Sequence, residues 1–255
     1  MPALLADALR DALASRARVV LPADGKSPAA VLVPLLDVDG EPHVLYTRRS
    51  SALPRHRGEV AFPGGRHHPD EDADLRATAL RETHEEIGVA PALLRVVGRL
   101  TPVFISVSGY RMEPFVAVAR GRPPFRVAEE EVDELLEIEL ARLLDPRLRA
   151  QRVAPRDGID VVIPYFAIDG REIWGATAMV LAELAAVLAE IGLAAGYEGA
   201  WSHRRRPRAP SSRSPRRRAR SAIRRRRRRA RRRRGAATSI PAPARSSRPR
   251  STPSC

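Results

Sequence analysis

Residues 81–89 read RETHEEIGV, and Arg81 lies sixteen residues beyond the last glycine of FPGG at residues 62–65. Positions three and four apart share one face of a helix, so the spacing brings Glu82, Glu85 and Glu86 together. Carboxylate oxygens suit Mg²⁺ and Mn²⁺, and Mg²⁺ is usually held by a few carboxylates together with substrate phosphate. A preceding arginine can orient such carboxylates through forked hydrogen bonds. On these residues alone a metal-binding helix and a solvated acidic face both stay open, and the solvated face is the commoner case.

This segment resembles the Nudix box, whose pattern is G-x5-E-x7-R-E-U-x-E-E-x-G-U, where U is an apolar residue. Residues 81–89 match its second half, except that Thr83 replaces an apolar residue. The first half departs, because Gly65 precedes Arg81 by sixteen residues where the pattern has fourteen. A two-residue insertion within residues 66–73 explains the difference, and the acidic position then falls to Glu71 or Asp72.

The resemblance implies a Nudix fold, which is an α/β class α/β/α sandwich with a mixed central sheet. It also implies a metal-dependent diphosphatase that uses Mg²⁺ or Mn²⁺. The catalytic residues would be Glu82, Glu85 and Arg81. The metal ligands would be Glu82, Glu85, Glu86 and the backbone carbonyl of Gly65.

A second resemblance concerns residues 45–50 (LYTRRS) and 56–65 (HRGEVAFPGG). They are similar to the additional motif of coenzyme A diphosphatases, LLTxR[SA]-x3-R-x3-G-x3-FPGG. Pro54 stands where the motif has arginine, and Arg55 is its neighbour. The similarity spans about residues 28–185 and implies cleavage of coenzyme A, or a derivative, to 3′,5′-ADP and phosphopantetheine. The substrate-binding residues would be Arg49, Arg55, Arg57 and Gly64.

Other functions stay open at this point. The substrate could instead be another nucleotide, such as ADP-ribose or a nucleoside triphosphate, and a non-catalytic Nudix sensor is a further alternative. In many Nudix enzymes a glutamate from a later loop completes the metal site or acts as base. The run at residues 129–131 offers Glu130 for this role, with a solvated helix start before Val132 as the competing interpretation. His67 and His68 are expected to be a solvated loop pair, and His84 to lie on the surface.

The basic charge of the chain is concentrated at its end. The formal net charge is +15, yet residues 204–255 hold 22 arginines and no Asp, Glu or Lys, so residues 1–203 carry −7. Such a composition cannot bury enough apolar surface to offset chain entropy, which predicts a disordered tail. The tail could bind nucleic-acid phosphates or anionic lipid headgroups, and it is the one part of the chain suited to nucleic acid. The alternative is a shifted reading frame in GC-rich DNA, because Arg, Pro, Ala and Ser have GC-rich codons.

Three segments follow from these patterns: an N-terminal helix and lead-in at 1–27, a Nudix domain at 28–199 and the tail at 200–255. No run of 18 apolar residues exists, and the N-terminus lacks the basic start of a signal peptide. The lone Cys255 excludes an internal disulfide framework. These features predict a cytoplasmic protein with no membrane span, and they leave its oligomeric state open.

Local patterns predict most of the secondary structure. Apolar residues recur at helical spacing over 3–15, and Asp39-Gly40 separates two strands at 29–36 and 43–48 as a hairpin turn. A helix at 74–87 should end at Gly88 in the left-handed conformation. Further strands are expected at 93–100, 112–119, 161–168 and 172–174, followed by an alanine-rich helix at 175–191.

Overall fold

The fold is built around a twelve-residue strand, β1 (Ser27–Val38), in a computed structural model that describes residues 2–18, 22, 25–105, 108–156 and 158–192. The other strands are β2 (Glu41–Arg49), β3 (Val60–Ala61), β4 (Gly64–Arg66), β5 (Leu94–Arg99), β6 (Val103–Ile105), β7 (Tyr110–Ala119), β8 (Val132–Glu139), β9 (Arg149–Arg156), β10 (Ile159–Ile168) and β11 (Arg171–Trp174). The helices are α1 (Pro2–Ser15), α2 (Leu75–Ile87), α3 (Leu140–Leu143) and α4 (Gly175–Glu190).

The main sheet is mixed. β1 runs parallel to β7 and antiparallel to β2 and β4, and the strand order is β3-β2-β1-β7-β5. In addition β8 pairs with β2, and β6 with β7, whereas β9, β10 and β11 form a separate three-stranded sheet. The turn between β1 and β2 has positive φ at Asp39 (53°) and Gly40 (89°), as its sequence predicts.

Helices cover both faces of the main sheet. Alternate residues of β1 point to opposite sides, so Leu32 packs in a cluster with Ile87 of α2, whereas Val33 packs in a second cluster with α1 and α4. Leu9 of α1 is fully buried in that second cluster. The predicted α/β/α sandwich with a mixed central sheet is therefore confirmed.

Two of the longer strands differ from the expectation, and the short strands β3, β4 and β6 were not predicted either. The interpretation of a helix start before Val132 is wrong, because Val132–Glu139 is β8 and pairs with β2. β9 was not predicted, since its arginine-rich sequence resembles a loop, yet it pairs with β10 along its length. Both strands contain charged residues that arginines or carboxylates of neighbouring strands neutralise, as in the pair of Glu134 with Arg48.

No helix among the described residues has the length and apolarity needed to cross a membrane. The tail predicted at 200–255 lies outside the described residues.

Candidate active site

Helix α2 has defined ends that fix its rotation on the sheet. Asp74 precedes the helix in an extended conformation and accepts a hydrogen bond from the Ala77 backbone N–H at 2.8 Å. Gly88 closes it with φ of 74°, and its N–H donates to the His84 carbonyl. Thr83, at the position where the family pattern has an apolar residue, is fully buried. Its hydroxyl tolerates burial because it donates to the Ala79 carbonyl at 2.6 Å. This helix therefore keeps its core face without an apolar side chain there.

Arg81 lies at the centre of a network of carboxylates. Its Nη1 donates to Glu85 Oε2 at 2.7 Å and its Nη2 to Glu82 Oε1 at 2.9 Å. The other side of the guanidinium contacts Asp72, with Nε to Oδ1 at 2.8 Å and Nη2 to Oδ2 at 3.1 Å. A single planar cation thus holds two carboxylates of α2 and ties them to the preceding loop.

The family pattern has an acidic residue before α2, and the sequence offers Glu71 or Asp72 for it; the structure favours Asp72. Its side chain is 1% exposed, whereas that of Glu71 is 63% exposed and approaches Arg81 only to 3.9 Å. Asp72 also accepts from Thr78 Oγ1 at 2.9 Å and from the His68 backbone N–H at 3.0 Å. The hydrogen bond from Arg81 is the main reason that the pKa of Asp72 lies well below its usual range.

The two histidines of this loop are not equivalent. The His67 side chain is 17% exposed, and its Nδ1 hydrogen-bonds Thr78 Oγ1 at 2.8 Å. The expectation of a solvated pair is therefore wrong for His67, since a single sequence does not show the partner on α2. His68 and His84 are exposed.

Glu86 is the most buried of the three helix carboxylates, at 3% exposure. Burial raises the pKa of Glu86 to about 8, an effect that the positive charge of Arg49 and a hydrogen bond from the Gly64 backbone N–H partly offset. Negative charges at Glu131 and Glu82 act in the same direction as burial. Its Oε2 atom is buried and has no hydrogen-bond partner among the described residues.

The glycine loop fits against these carboxylates without room for side chains. A Cβ at Gly65 would lie 2.4 Å from Cδ of Glu82, and a Cβ at Gly64 would lie 2.3 Å from the Ala30 carbonyl oxygen. Gly64 also has φ of 152°, which other residues rarely adopt. The Glu82 side chain is 14% exposed, and burial raises its pKa while Arg81 lowers it. Glycine at both positions is therefore a steric requirement of the site.

The later acidic loop is positioned by the C-terminal end of α2. The backbone N–H of Ala128 donates to the Glu86 carbonyl at 2.9 Å, and the N–H of Arg126 donates to the Ile87 carbonyl at 2.8 Å. Within this loop, Glu131 is the residue whose charge raises the pKa values of Glu82 and Glu86, and its carbonyl accepts from the Ser50 N–H at 2.8 Å. Glu130 is exposed in the same turn. The base thus stays a prediction at Glu130, with Glu131 as a second candidate that sequence spacing did not single out.

The three arginines expected to bind substrate differ in their burial. Arg49, at the end of β2, has a buried Nε without a hydrogen-bond partner among the described residues, and its positive charge lowers the pKa of Glu86. Arg55 and Arg57 lie on the exposed loop between β2 and β3, where Arg57 Nε donates to the Leu53 carbonyl. Arg49 is therefore next to the carboxylates, whereas the other two are in a loop that leads to them.

The donor atoms fit a hard divalent cation. Oxygens of Glu82, Glu85 and Glu86 occupy one side of α2, and the unpartnered Oε2 of Glu86 lacks the compensation that a buried carboxylate normally has. Within the described part of the chain, no group of three or more His, Cys, Asp or Glu side chains is already arranged to hold a metal ion. Arg81 holds the Glu85 carboxylate, whose side chain is 55% exposed.

A helix of this kind beside a glycine loop, on a mixed sheet covered on both faces, is typical of enzymes that hydrolyse diphosphates. The family model described as NUDIX domain matches residues 26–157. The chain belongs to the Nudix family, and it is a hydrolase acting on pyrophosphate bonds. Nudix hydrolases generally use divalent metal ions such as Mg²⁺ or Mn²⁺.

Two similar proteins carry the name uncharacterized Nudix hydrolase NudL. One is from Yersinia pestis (strain Pestoides F) and one from Yersinia pseudotuberculosis serotype O:1b (strain IP 31758). Each is 39% identical over 157 residues, which cover 62% of this chain and 77% of the relative.

Solved structures resemble the chain more distantly. A C. elegans Ap4A hydrolase is 23% identical, covering 44% of this chain and 80% of its own, with a TM-score of 0.38. A MutT/nudix family protein from Enterococcus faecalis is 17% identical, covering 68% of this chain and 65% of its own, with a TM-score of 0.42.

Proposed function

We propose that this hydrolase cleaves the diphosphate of coenzyme A or a derivative, giving 3′,5′-ADP and phosphopantetheine. The observation that supports this substrate is the resemblance of residues 45–65 to the coenzyme A diphosphatase motif, together with the place of that motif in the fold. The motif runs from β2 to β4 and includes Arg49 and Gly64. The charge of Arg49 and the backbone N–H of Gly64 both lower the pKa of Glu86. A substrate bound along this stretch would lie against the carboxylate helix.

The metal would be held by Glu82, Glu85 and Glu86, with the Gly65 carbonyl as a further ligand. A bound divalent cation supplies charge compensation for the phosphates and lowers the pKa of an attacking water. Arg81 positions Glu82 and Glu85 through its hydrogen bonds, and Asp72 in turn fixes the plane of the Arg81 guanidinium. A carboxylate of the later loop, Glu130 or Glu131, would take the proton of the water.

Coenzyme A differs from most diphosphate substrates by its 3′-phosphate, which needs a cationic partner. Arg55 is exposed on the loop that leads to the glycines, where a guanidinium can reach a substrate without breaking a structural contact. We expect Arg55→Ala to lower kcat/KM for coenzyme A about tenfold or more while leaving that for dephospho-coenzyme A nearly unchanged. The control is Arg152→Ala, which removes a surface arginine paired with Glu172 on the separate three-stranded sheet. Equal losses on both substrates would exclude Arg55 as the partner of the 3′-phosphate.

The substrate class is tested with the unmodified protein. The protein is incubated with Mg²⁺ or Mn²⁺ and a panel of coenzyme A, ADP-ribose, NADH and deoxynucleoside triphosphates, and the products are separated by chromatography. The proposal predicts the highest kcat/KM for coenzyme A. Absence of coenzyme A cleavage, together with turnover of another member of the panel, would replace the proposed substrate.

A further inference from the structure

A polar cleft lies beside β5. This strand forms one edge of the main sheet, and β3 forms the opposite edge. The cleft has a volume of about 320 Å³ and is bounded by the C-terminal half of α1, the residues that follow α1, and β5. Half of its described lining residues are arginines, and none is Asp or Glu: Arg10, Arg16, Arg18 and Arg99. None of these residues has a role in the proposed hydrolysis.

Close packing of α1 on β5 gives the cleft its shape. An added Cβ at Gly98 would lie 2.8 Å from Cβ of Leu13, so glycine is what allows the helix to approach the strand. α1 ends at Ser15, and the chain then delivers Arg16 and Arg18 to the rim of the cleft. Cationic side chains are favoured near the C-terminal end of a helix, which explains their tolerance at this place.

Two of these arginines, Arg18 and Arg99, contact a buried carboxylate of β7 that Arg111 also approaches. Glu113 of β7 has a side chain that is 3% exposed, and its Oε1 lies 2.5 Å from Arg18 Nη1 and 3.4 Å from Arg99 Nη1. Its Oε2 is 3.6 Å from Arg111 Nη2. The Nε atom of Arg111 is buried without a hydrogen-bond partner among the described residues. One negative charge therefore meets three positive charges, and two of its contacts are longer than a hydrogen bond.

The remaining two arginines have carboxylate partners that do not line the cleft. Arg16 contacts Glu190 and Glu183 of α4, and Arg10 contacts Asp7 and Asp11 of α1. These carboxylates restrain the guanidiniums, and the residues that line the cleft include no carboxylate. A guanidinium has five N–H donors, so such pairing leaves donors for a second anion.

We propose that this cleft binds a small phosphate-bearing anion, a phosphate monoester or diphosphate, at a site separate from the hydrolytic carboxylates. A phosphate group carries up to two negative charges, which matches the positive excess around Glu113. Guanidiniums pair with phosphate oxygens through two parallel hydrogen bonds, and several guanidiniums around one cleft provide several such pairs. The volume accommodates a phosphorylated small molecule.

Calorimetric titration of the full chain with inorganic pyrophosphate tests the site. EDTA is included so that no divalent cation recruits the probe to α2. The basic residues 204–255 are present in every variant and add the same background of pyrophosphate binding, so the Kd of the cleft is taken from the difference between titrations. We expect the double variant Arg16→Gln, Arg99→Gln to raise the Kd at least tenfold, and binding by the unmodified chain to weaken with added salt. The matched control is Arg122→Gln, which removes an exposed arginine paired with Glu137 outside the cleft.

The outcomes separate this site from the hydrolytic one. Hydrolysis with Mg²⁺ of whichever substrate the panel identifies should be unchanged in the double variant. Equal Kd values for the unmodified chain, the double variant and the control would overturn the proposal, and so would a parallel loss of hydrolysis and pyrophosphate binding. Arg99→Gln alone is the second variant, because its side chain is 55% exposed and its removal leaves Glu113 paired with Arg18. A threefold or greater rise in Kd is expected for it.

Discussion

Replacing Glu86 by glutamine should lower activity and, at alkaline pH, stabilise the metal-free protein. The substitution keeps the shape of the side chain and removes one negative metal ligand, so turnover with Mg²⁺ should fall by orders of magnitude. Folding should respond in the opposite direction, because the carboxylate is 3% exposed and burial raises its pKa from 4.5 to about 8. The ionised form of Glu86 is therefore a cost to the folded state.

The sign and size of this effect follow from linkage. A carboxyl whose folded pKa is raised contributes stability that is fully present below about pH 4.5 and is lost as pH rises through about 8. One pKa unit corresponds to about 1.4 kcal/mol, so the loss by pH 9 is about 3–5 kcal/mol. Glu86→Gln does not titrate, and its free energy of unfolding relative to the parent should increase by that amount between pH 5 and pH 9.

The assay is urea unfolding in EDTA at pH 5, 7 and 9, followed by circular dichroism. The control is Glu85→Gln, which also removes a predicted metal ligand and should lower turnover. Because the Glu85 side chain is 55% exposed, its replacement removes a predicted ligand without removing a buried carboxyl. Parallel stability curves for parent and Glu86→Gln would show that Glu86 carries no burial cost, and near-normal turnover at saturating Mg²⁺ would remove it from the metal site.

Three further predictions concern the loop before α2, the glycine loop and the C-terminal tail. Asp72→Asn should destabilise the protein by about 2–4 kcal/mol at pH 7, since it removes the buried anion paired with Arg81, whereas Glu71→Gln should change stability by less than about 0.5 kcal/mol. Because the pKa of Asp72 is depressed, the stability lost in Asp72→Asn should shrink as pH falls below about 3.8, which urea unfolding curves measure. Gly65→Ala should lower kcat at least a hundredfold because its Cβ displaces the Glu82 carboxylate, and unchanged kinetics would contradict the tight contact. A chain ending at Gly199 should keep the kcat/KM of the full chain and lose salt-sensitive binding to nucleic acid; loss of hydrolysis from a folded truncated protein would connect the tail to the enzyme.

The turns and helices that the sequence predicts correctly have signals within a few residues of each other. The Asp39-Gly40 pair has the positive φ values that its turn requires, and Gly88 ends α2 in the left-handed conformation. Periodicity also locates α1 and α4 to within two residues, since their buried faces are strongly apolar. Such features depend on residues close together in the chain, which a single sequence displays.

The elements that were missed depend on partners distant in the chain. β8 contains Glu134 and Glu137, and these carboxylates are neutralised by Arg171 and Arg122 from other segments. No local pattern shows that compensation, so a charged strand resembles a helix or a loop. Pro155 in β9 has the same effect, although an edge strand tolerates proline.

The site was predictable in its composition and less so in its geometry. Spacing alone places Glu82, Glu85 and Glu86 on one helix, but it cannot show that Glu86 is buried and Glu85 exposed. The choice between Glu71 and Asp72 likewise required the hydrogen bonds of Arg81. Burial and pairing decide these roles, and both arise from packing across the sheet.

The loop between Gly65 and α2 shows where this protein can change its length. Asp72 lies seven residues after Gly65 and nine before Arg81, where the family pattern has six and eight, so one extra residue stands on each side of it. β1 fixes the start of the loop by pairing Ala30 with Gly65, and the Asp74 cap fixes its end. An insertion inside α2 would instead rotate the following carboxylates by about 100° per residue. A change of length in this loop, whose two ends are anchored, therefore leaves the spacing of the carboxylates on α2 intact.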